Sequence, residues 1–119
     1  MKPWTIGEAI ITTPRELVAY YGARLADVPA LRYEALLHRQ KADTIEAEWV
    51  QSIEGKNAEA RAAALATALR NDSQWLEANT ARHLAELRAG LADAHAKEAF
   101  QALELVKLEI QYANNKGER

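Results

Sequence analysis

The sequence predicts an all-α protein, an antiparallel helical hairpin or bundle with one long C-terminal helix and coiled-coil-like packing. Residues 73–114 contain no Pro and a single Gly, and their apolar residues recur every three or four positions. Residues 29–53 repeat apolar residues in the same way. The Gly-containing stretch 54–57 lies between these two segments, where we expect the chain to reverse.

Composition limits the class of protein. The chain has 119 residues and a formal net charge of -2, so we expect one helical domain over 1–119 and no general attraction to nucleic acid. It contains no Cys, which excludes disulfides, Cys-ligated metals and thiol catalysis. It has no apolar stretch of about 18 residues and no signal-peptide run, so we expect a cytoplasmic protein without membrane contact.

The first segment, residues 1–13, is an N-terminal arm with two open readings, a short helix or an extended arm laid on the bundle. Its apolar residues follow a mixed pattern. A clearer signal follows, because Thr13 is a suitable cap, Pro14 suits the first helical position and Glu16 can close a capping box. Helix 1 is therefore predicted over 14–27.

A proline separates helix 1 from helix 2. Because Pro29 disfavours the α conformation at the residue before it, helix 1 should end by residue 27 and helix 2 should occupy 29–53. Helix 2 carries a seam with alternating steps of four and three residues, which is typical of coiled-coil packing. The seam consists of Leu31, Ala35, His38, Ala42, Ile45 and Trp49.

Two turns shape the second half of the chain. Gly55 is predicted to end helix 2 in the left-handed conformation, and Asn57 is predicted to cap helix 3 over 57–70. Residues 71–74 fit either a kink or a full turn before helix 4, predicted over 73–114. Residues 115–119 contain no apolar side chain and should fray.

Helix 4 carries an apolar stripe that needs a partner. Its steps average about 3.6 residues, the period of a straight helix. The helix would be roughly 60 Å long against roughly 37 Å for helix 2, so part of the stripe lacks cover within the chain. We therefore expect a homo-oligomer, most simply a two-fold dimer, or another protein partner. The candidate interface residues are Leu84, Leu87, Leu91, Leu103, Val106 and Ile110.

The sequence contains few residues in patterns suited to catalysis or metal binding. Glu34 precedes His38 by four residues and Glu98 follows His95 by three, but no Glu-x-x-His pair of a di-metal bundle occurs. No nucleophile elbow or phosphate-binding loop is present. We expect no enzyme activity, no cofactor and no metal.

Two short basic clusters are the candidate nucleic-acid footprints. Neighbouring acidic residues dilute both of them, so a solvated helix face explains them better than phosphate binding does. Nucleic-acid binding is therefore an alternative that the sequence does not favour. The candidate residues are Arg32, Arg39, Lys41, Arg82 and Arg88.

One stretch of the chain reads Gly55-Lys56-Asn57-Ala58-Glu59-Ala60-Arg61 and is followed by Leu65, Leu69 and the break at Asn71-Asp72-Ser73-Gln74-Trp75. This stretch resembles a group of small phage and prophage helical-hairpin proteins. The resemblance covers residues 30–110 or so and implies a phage-derived origin with no settled activity. It carries no catalytic residues across, so none are assigned. The leading hypothesis is a non-enzymatic structural or interaction protein that self-assembles through its long C-terminal helix. The alternative is a nucleic-acid-associated accessory factor of phage recombination or replication.

Overall fold

The computed structural model describes residues 3–117, which form a β-hairpin followed by three helices. The predicted all-α hairpin with a long C-terminal helix is confirmed, with a small β-hairpin added at the N-terminus. The elements are β1 (Trp4–Ile6), β2 (Ala9–Ile11), α1 (Pro14–Ser52), α2 (Ala58–Arg70) and α3 (Ser73–Gly117).

The N-terminal arm forms a two-stranded antiparallel sheet. Of the two predicted alternatives, the short helix is therefore wrong. The two-residue loop has φ of 59° at Gly7 and a negative φ at Glu8, the pattern of a type II′ hairpin turn. Strand alternation buries Ile6 and Ile11 and leaves Ile10 in solvent. The cross-strand pairs are Trp4 with Ile11, Thr5 with Ile10 and Ile6 with Ala9.

Helix α1 begins at Pro14, as predicted. The Thr13 hydroxyl accepts a hydrogen bond from the Glu16 N–H at 3.2 Å. The Glu16 carboxylate in turn accepts from the Thr12 N–H at 3.1 Å, one residue earlier than in a standard capping box. The local sequence therefore determines this helix start.

The predicted break before Pro29 is wrong, because 14–27 and 29–53 belong to a single helix that ends at Ser52. A proline inside a helix removes one hydrogen bond and costs about 3 kcal/mol. Val28 just before it is buried, and an unbroken series of packing positions on both sides offsets that cost. These positions, spaced alternately by four and three residues and all buried or half-buried, are Leu17, Tyr21, Arg24, Val28, Leu31, Ala35, His38, Ala42 and Ile45.

In the turn between α1 and α2, the predicted Asn57 cap is present and the predicted left-handed Gly55 is not. The Asn57 side chain caps α2 as predicted, its Oδ1 accepting from the Ala60 N–H at 2.8 Å. Gly55 does not have positive φ, so the predicted left-handed helix stop is wrong. A Cβ on Gly55 would lie 2.9 Å from the Arg61 backbone N, so close approach rather than a special φ favours glycine there.

A two-residue break, Asn71 and Asp72, separates α2 from α3 within the interruption predicted at 71–74. Asp72 caps α3, its Oδ1 accepting from the N–H groups of Gln74 and Trp75, both at 3.0 Å. The helix starts at Ser73 as predicted but continues to Gly117, so residues 115–117 are helical instead of frayed. Residues 118–119 of the predicted tail lie outside the described residues.

Contacts divide the chain into two compact units, residues 1–30 with 89–119 and residues 31–88. In the first unit, the start of α1, α3 and the β-hairpin share a core of Ile6, Ile11, Leu17 and Ala99. In the second unit, the Trp49 indole N–H of α1 donates to Asp72 Oδ2 at 2.7 Å. The expectation of a single domain stays a prediction.

The buried face of α3 differs from the predicted stripe in both residues and period. It is built mainly from alanines, which permit close backbone approach between helices, and its positions alternate between steps of three and four with an average of about 3.5 residues. In the first unit this face, named here the inner seam, consists of Ala89, Ala92, Ala96, Ala99, Leu103 and Val106.

Candidate functional site

The C-terminal part of α3 extends beyond its packing partners in the first unit. Val106 is the last buried residue of the inner seam, at 7% exposure. From residue 107 to residue 117 every side chain is exposed. Large apolar residues nevertheless occur here, with Leu108 59% exposed and Tyr112 69% exposed. This helix end is therefore the candidate interaction surface of the first unit.

A second regular series of positions runs along α3 in this unit, and we name it the outer seam. All its members are exposed, and they are spaced alternately by three and four residues like the inner seam. Leu105 is nine residues from Ala96, which places it about 180° around the helix from the inner seam. The outer seam consists of Leu91, Ala94, Glu98, Gln101, Leu105, Leu108 and Tyr112.

The structure distributes the six candidate interface residues over different environments. Leu103 is half-buried and Val106 is buried, so both belong to the inner seam. Leu91 and Ile110 are exposed in the first unit. In the second unit, Leu84 and Leu87 are exposed on α3.

Sequence reasoning missed Leu105, Leu108 and Tyr112. Their signal was present, because steps of three and four residues lead to them from Leu91 through two polar positions. The period of 3.6 assigned to the helix did not connect these residues, whereas an alternating series does.

Charged side chains flank the outer seam. Lys97 pairs with Asp93 at 3.0 Å, and Lys107 pairs with Glu104 at 3.1 Å, each across one turn of α3. Lys97 is 74% exposed, and exposed pairs of this kind contribute less than about 1 kcal/mol. These charges are therefore free to exchange partners when another helix approaches.

A groove of about 340 Å³ lies between α1 and α3 in the first unit. The rings of Tyr21 and Phe100 meet there with centroids 5.9 Å apart, and Leu25 adds a further apolar wall. Its charged groups, Asp93 and Lys97, already form the ion pair described above. The groove suits an apolar side chain.

The first basic cluster is split between two sides of α1 in the second unit. Arg32 and Arg39 line one groove, where Glu86 of α3 contributes a negative charge. Arg39 also pairs with Asp43 at 3.8 Å. Lys41 follows Arg39 by two residues, which turns it about 200° away from that groove.

The second basic cluster is also dispersed. Arg82 is half-buried and donates to Asn79 Oδ1 at 3.0 Å. Arg88 is exposed and lies six residues on, about 120° around the helix from Arg82. The neighbouring His83 lies 3.8 Å from a Glu86 carboxylate oxygen. The structure therefore brings Arg32 and Arg39 together and separates the other candidates.

Hydrogen bonds explain the pKa values of both carboxyl groups that are clearly shifted among the described residues. The hydrogen bond from the Trp49 indole lowers the pKa of Asp72, and the N–H groups of Trp75 and Gln74 act in the same direction. Hydrogen bonds from the Thr12 backbone and side chain lower the pKa of Glu16. These carboxylates stabilise helix starts.

The described residues also contain no cluster of three or more His, Cys, Asp or Glu side chains suited to a metal ion. His38 lies 3.7 Å from Glu34 in an isolated pair. Within residues 3–117, none of the helices has the length and apolar character needed to cross a membrane.

Comparisons with protein-family models, curated proteins and solved structures found no match. We therefore infer the function from the fold and from the surface of α3. They define a helical-hairpin protein whose most distinctive surface is the exposed outer seam.

Proposed function

We propose that this protein is a non-enzymatic structural or interaction protein that self-assembles through the C-terminal part of α3. The observation that carries the proposal is the run of exposed apolar side chains on the outer seam, with Leu105, Leu108 and Tyr112 each more than half exposed. Exposing such a row to water is unfavourable by about 25 cal/mol per Å² of apolar surface, and pairing with another helix removes it from water.

The position of these residues supports the proposal. They lie on the opposite side of α3 from the inner seam, so docking another helix leaves the core around Leu17 and Ala99 intact. A second copy of the chain is the simplest partner, since a two-fold dimer needs only one self-complementary surface. The expected origin in a phage or prophage stays a prediction.

Light scattering of Leu108→Asp tests the proposal. We expect the wild-type chain to have twice the monomer mass at micromolar concentration and Leu108→Asp to be a monomer with unchanged helix content. Gln111→Asp is the matched control, because it places the same charge three residues away at an exposed polar position. A wild-type monomer at high micromolar concentration would refute self-assembly.

A nucleic-acid accessory role is the alternative, and the groove containing Arg32 and Arg39 is the feature that favours it. Its support is weaker, because Glu86 lines the same groove and Asp43 pairs with Arg39. This role requires salt-sensitive binding that decreases in a variant with Arg32→Ala and Arg39→Ala. If the wild-type chain shifts neither DNA nor RNA at low salt, the alternative is rejected.

A further inference from the structure

We propose that the outer seam of α3 pairs with the outer seam of a second copy in antiparallel orientation, centred between Glu98 and Gln101. This inference rests on the proposed self-assembly and specifies its geometry. It uses only residues of the first unit, all on one continuous helix. The order of side-chain sizes along the seam and the charges beside it favour this pairing.

The size pattern of the outer seam is complementary to itself when one copy is reversed. With the centre between Glu98 and Gln101, each of these residues faces the other type in the second copy, so a carboxylate meets an amide donor. Ala94 then faces Leu105 of the second copy, and Leu91 faces Leu108. The small residue of the seam, Ala94, thus meets a large one, and Leu91 and Leu108 cover each other on both sides of a polar centre.

The charge pattern also favours the antiparallel orientation. In an antiparallel pair of helices, Lys97 lies beside Glu104 of the second copy, and two-fold symmetry repeats this attraction. In a parallel pair, Glu104 would lie beside Glu109 of the second copy, and Glu98 would face Glu98. The parallel arrangement therefore places like charges together at three places, which lowers its stability relative to the antiparallel one.

The ion pairs within each chain do not prevent this exchange. Lys97 and Glu104 now contact Asp93 and Lys107 across one turn of the same helix, in exposed positions. Such pairs are weak, and each charged group can also contact a second partner across an interface.

Cysteine cross-linking tests the orientation directly, since the chain contains no native Cys. Ala94→Cys and Leu105→Cys are made as separate proteins with tags of different length and oxidised alone or after mixing. Both positions are exposed in the single chain, so both variants should fold. We expect a disulfide-linked dimer only in the mixture, because a disulfide requires Cα atoms within about 7 Å.

Charge reversal provides a second test that needs no cross-link. Glu104→Lys should weaken the dimer roughly fivefold, because it replaces two symmetry-related attractions with repulsions at exposed positions. Lys97→Glu should have the same effect, and the double variant should return to nearly wild-type affinity. A parallel dimer would respond to Glu104→Lys in the opposite direction, since the new Lys would face Glu109.

The outcomes separate this inference from the proposal on which it rests. A dimer whose single-cysteine variants each link to themselves is parallel, and it overturns the antiparallel pairing but not self-assembly. A dimer in which neither the single variants nor the mixture link also overturns the pairing, because its interface must lie elsewhere. A monomeric wild-type chain overturns both.

Discussion

The buried core of the first unit predicts a large loss of unfolding free energy when the Leu17 side chain is shortened. Leu17 is the largest completely buried side chain among the described residues, and it packs with Ile6, Ile11 and Ala99. A buried Leu→Ala substitution costs about 2–5 kcal/mol, depending on how far the surroundings collapse into the space. The neighbouring β-hairpin and helices limit such collapse, so we expect Leu17→Ala to lose about 3–5 kcal/mol and roughly 10–20 °C in Tm.

Urea unfolding followed by circular dichroism measures this loss. Val18→Ala is the matched control, because Val18 is the adjacent residue on the same helix and is 55% exposed. Its change in unfolding free energy should stay within about 0.5 kcal/mol. If Leu17→Ala costs no more than Val18→Ala, the core described for the first unit is incorrect.

The remaining predictions concern the β-turn and the cap of α3. Gly7→Ala should destabilise the protein by about 1–2 kcal/mol, because Gly7 has φ of 59° and a Cβ there would lie 2.8 Å from the His95 ring. Gly22→Ala should instead stabilise it by up to about 1 kcal/mol, since Gly22 is helical and faces open space; equal effects in urea unfolding would contradict this account. The pKa of Asp72 is lowered in the folded state by the hydrogen bond from Trp49, so its stabilising contribution is present above its unfolded-state pKa and is lost as pH falls through the lowered value. Asp72→Asn should therefore reduce the loss of stability below about pH 4; an unchanged acid profile would show that this carboxylate contributes nothing.

Some features of the fold follow from local sequence alone. Pro14 begins α1, Ser73 begins α3 and Asn57 caps α2, each as predicted. These features depend on a side chain within about three residues of the backbone group that it satisfies, so no distant contact is needed to predict them. The sequence also predicts the seam from Leu31 to Trp49, because an alternating apolar pattern is itself a local feature.

The sequence contains a signal for the β-hairpin. Gly7 and Glu8 separate two short apolar stretches, which is the spacing of a two-residue hairpin loop with glycine first. The stretches have only three residues each, and such a hairpin is marginal in isolation. Burial of Ile6 and Ile11 in the helical core supplies the stabilisation that the local sequence lacks.

Tertiary packing alone decided the passage of α1 through Pro29 and the choice of the buried face of α3. The proline cost is local, but the burial of Val28 and its neighbours that offsets it is not. On α3, hydrophobicity ranks leucine above alanine, yet Ala96 and Ala99 are buried while Leu105 is exposed. The physical reason is distance, because small side chains let two helix backbones approach closely, and only the assembled fold shows where that approach occurs.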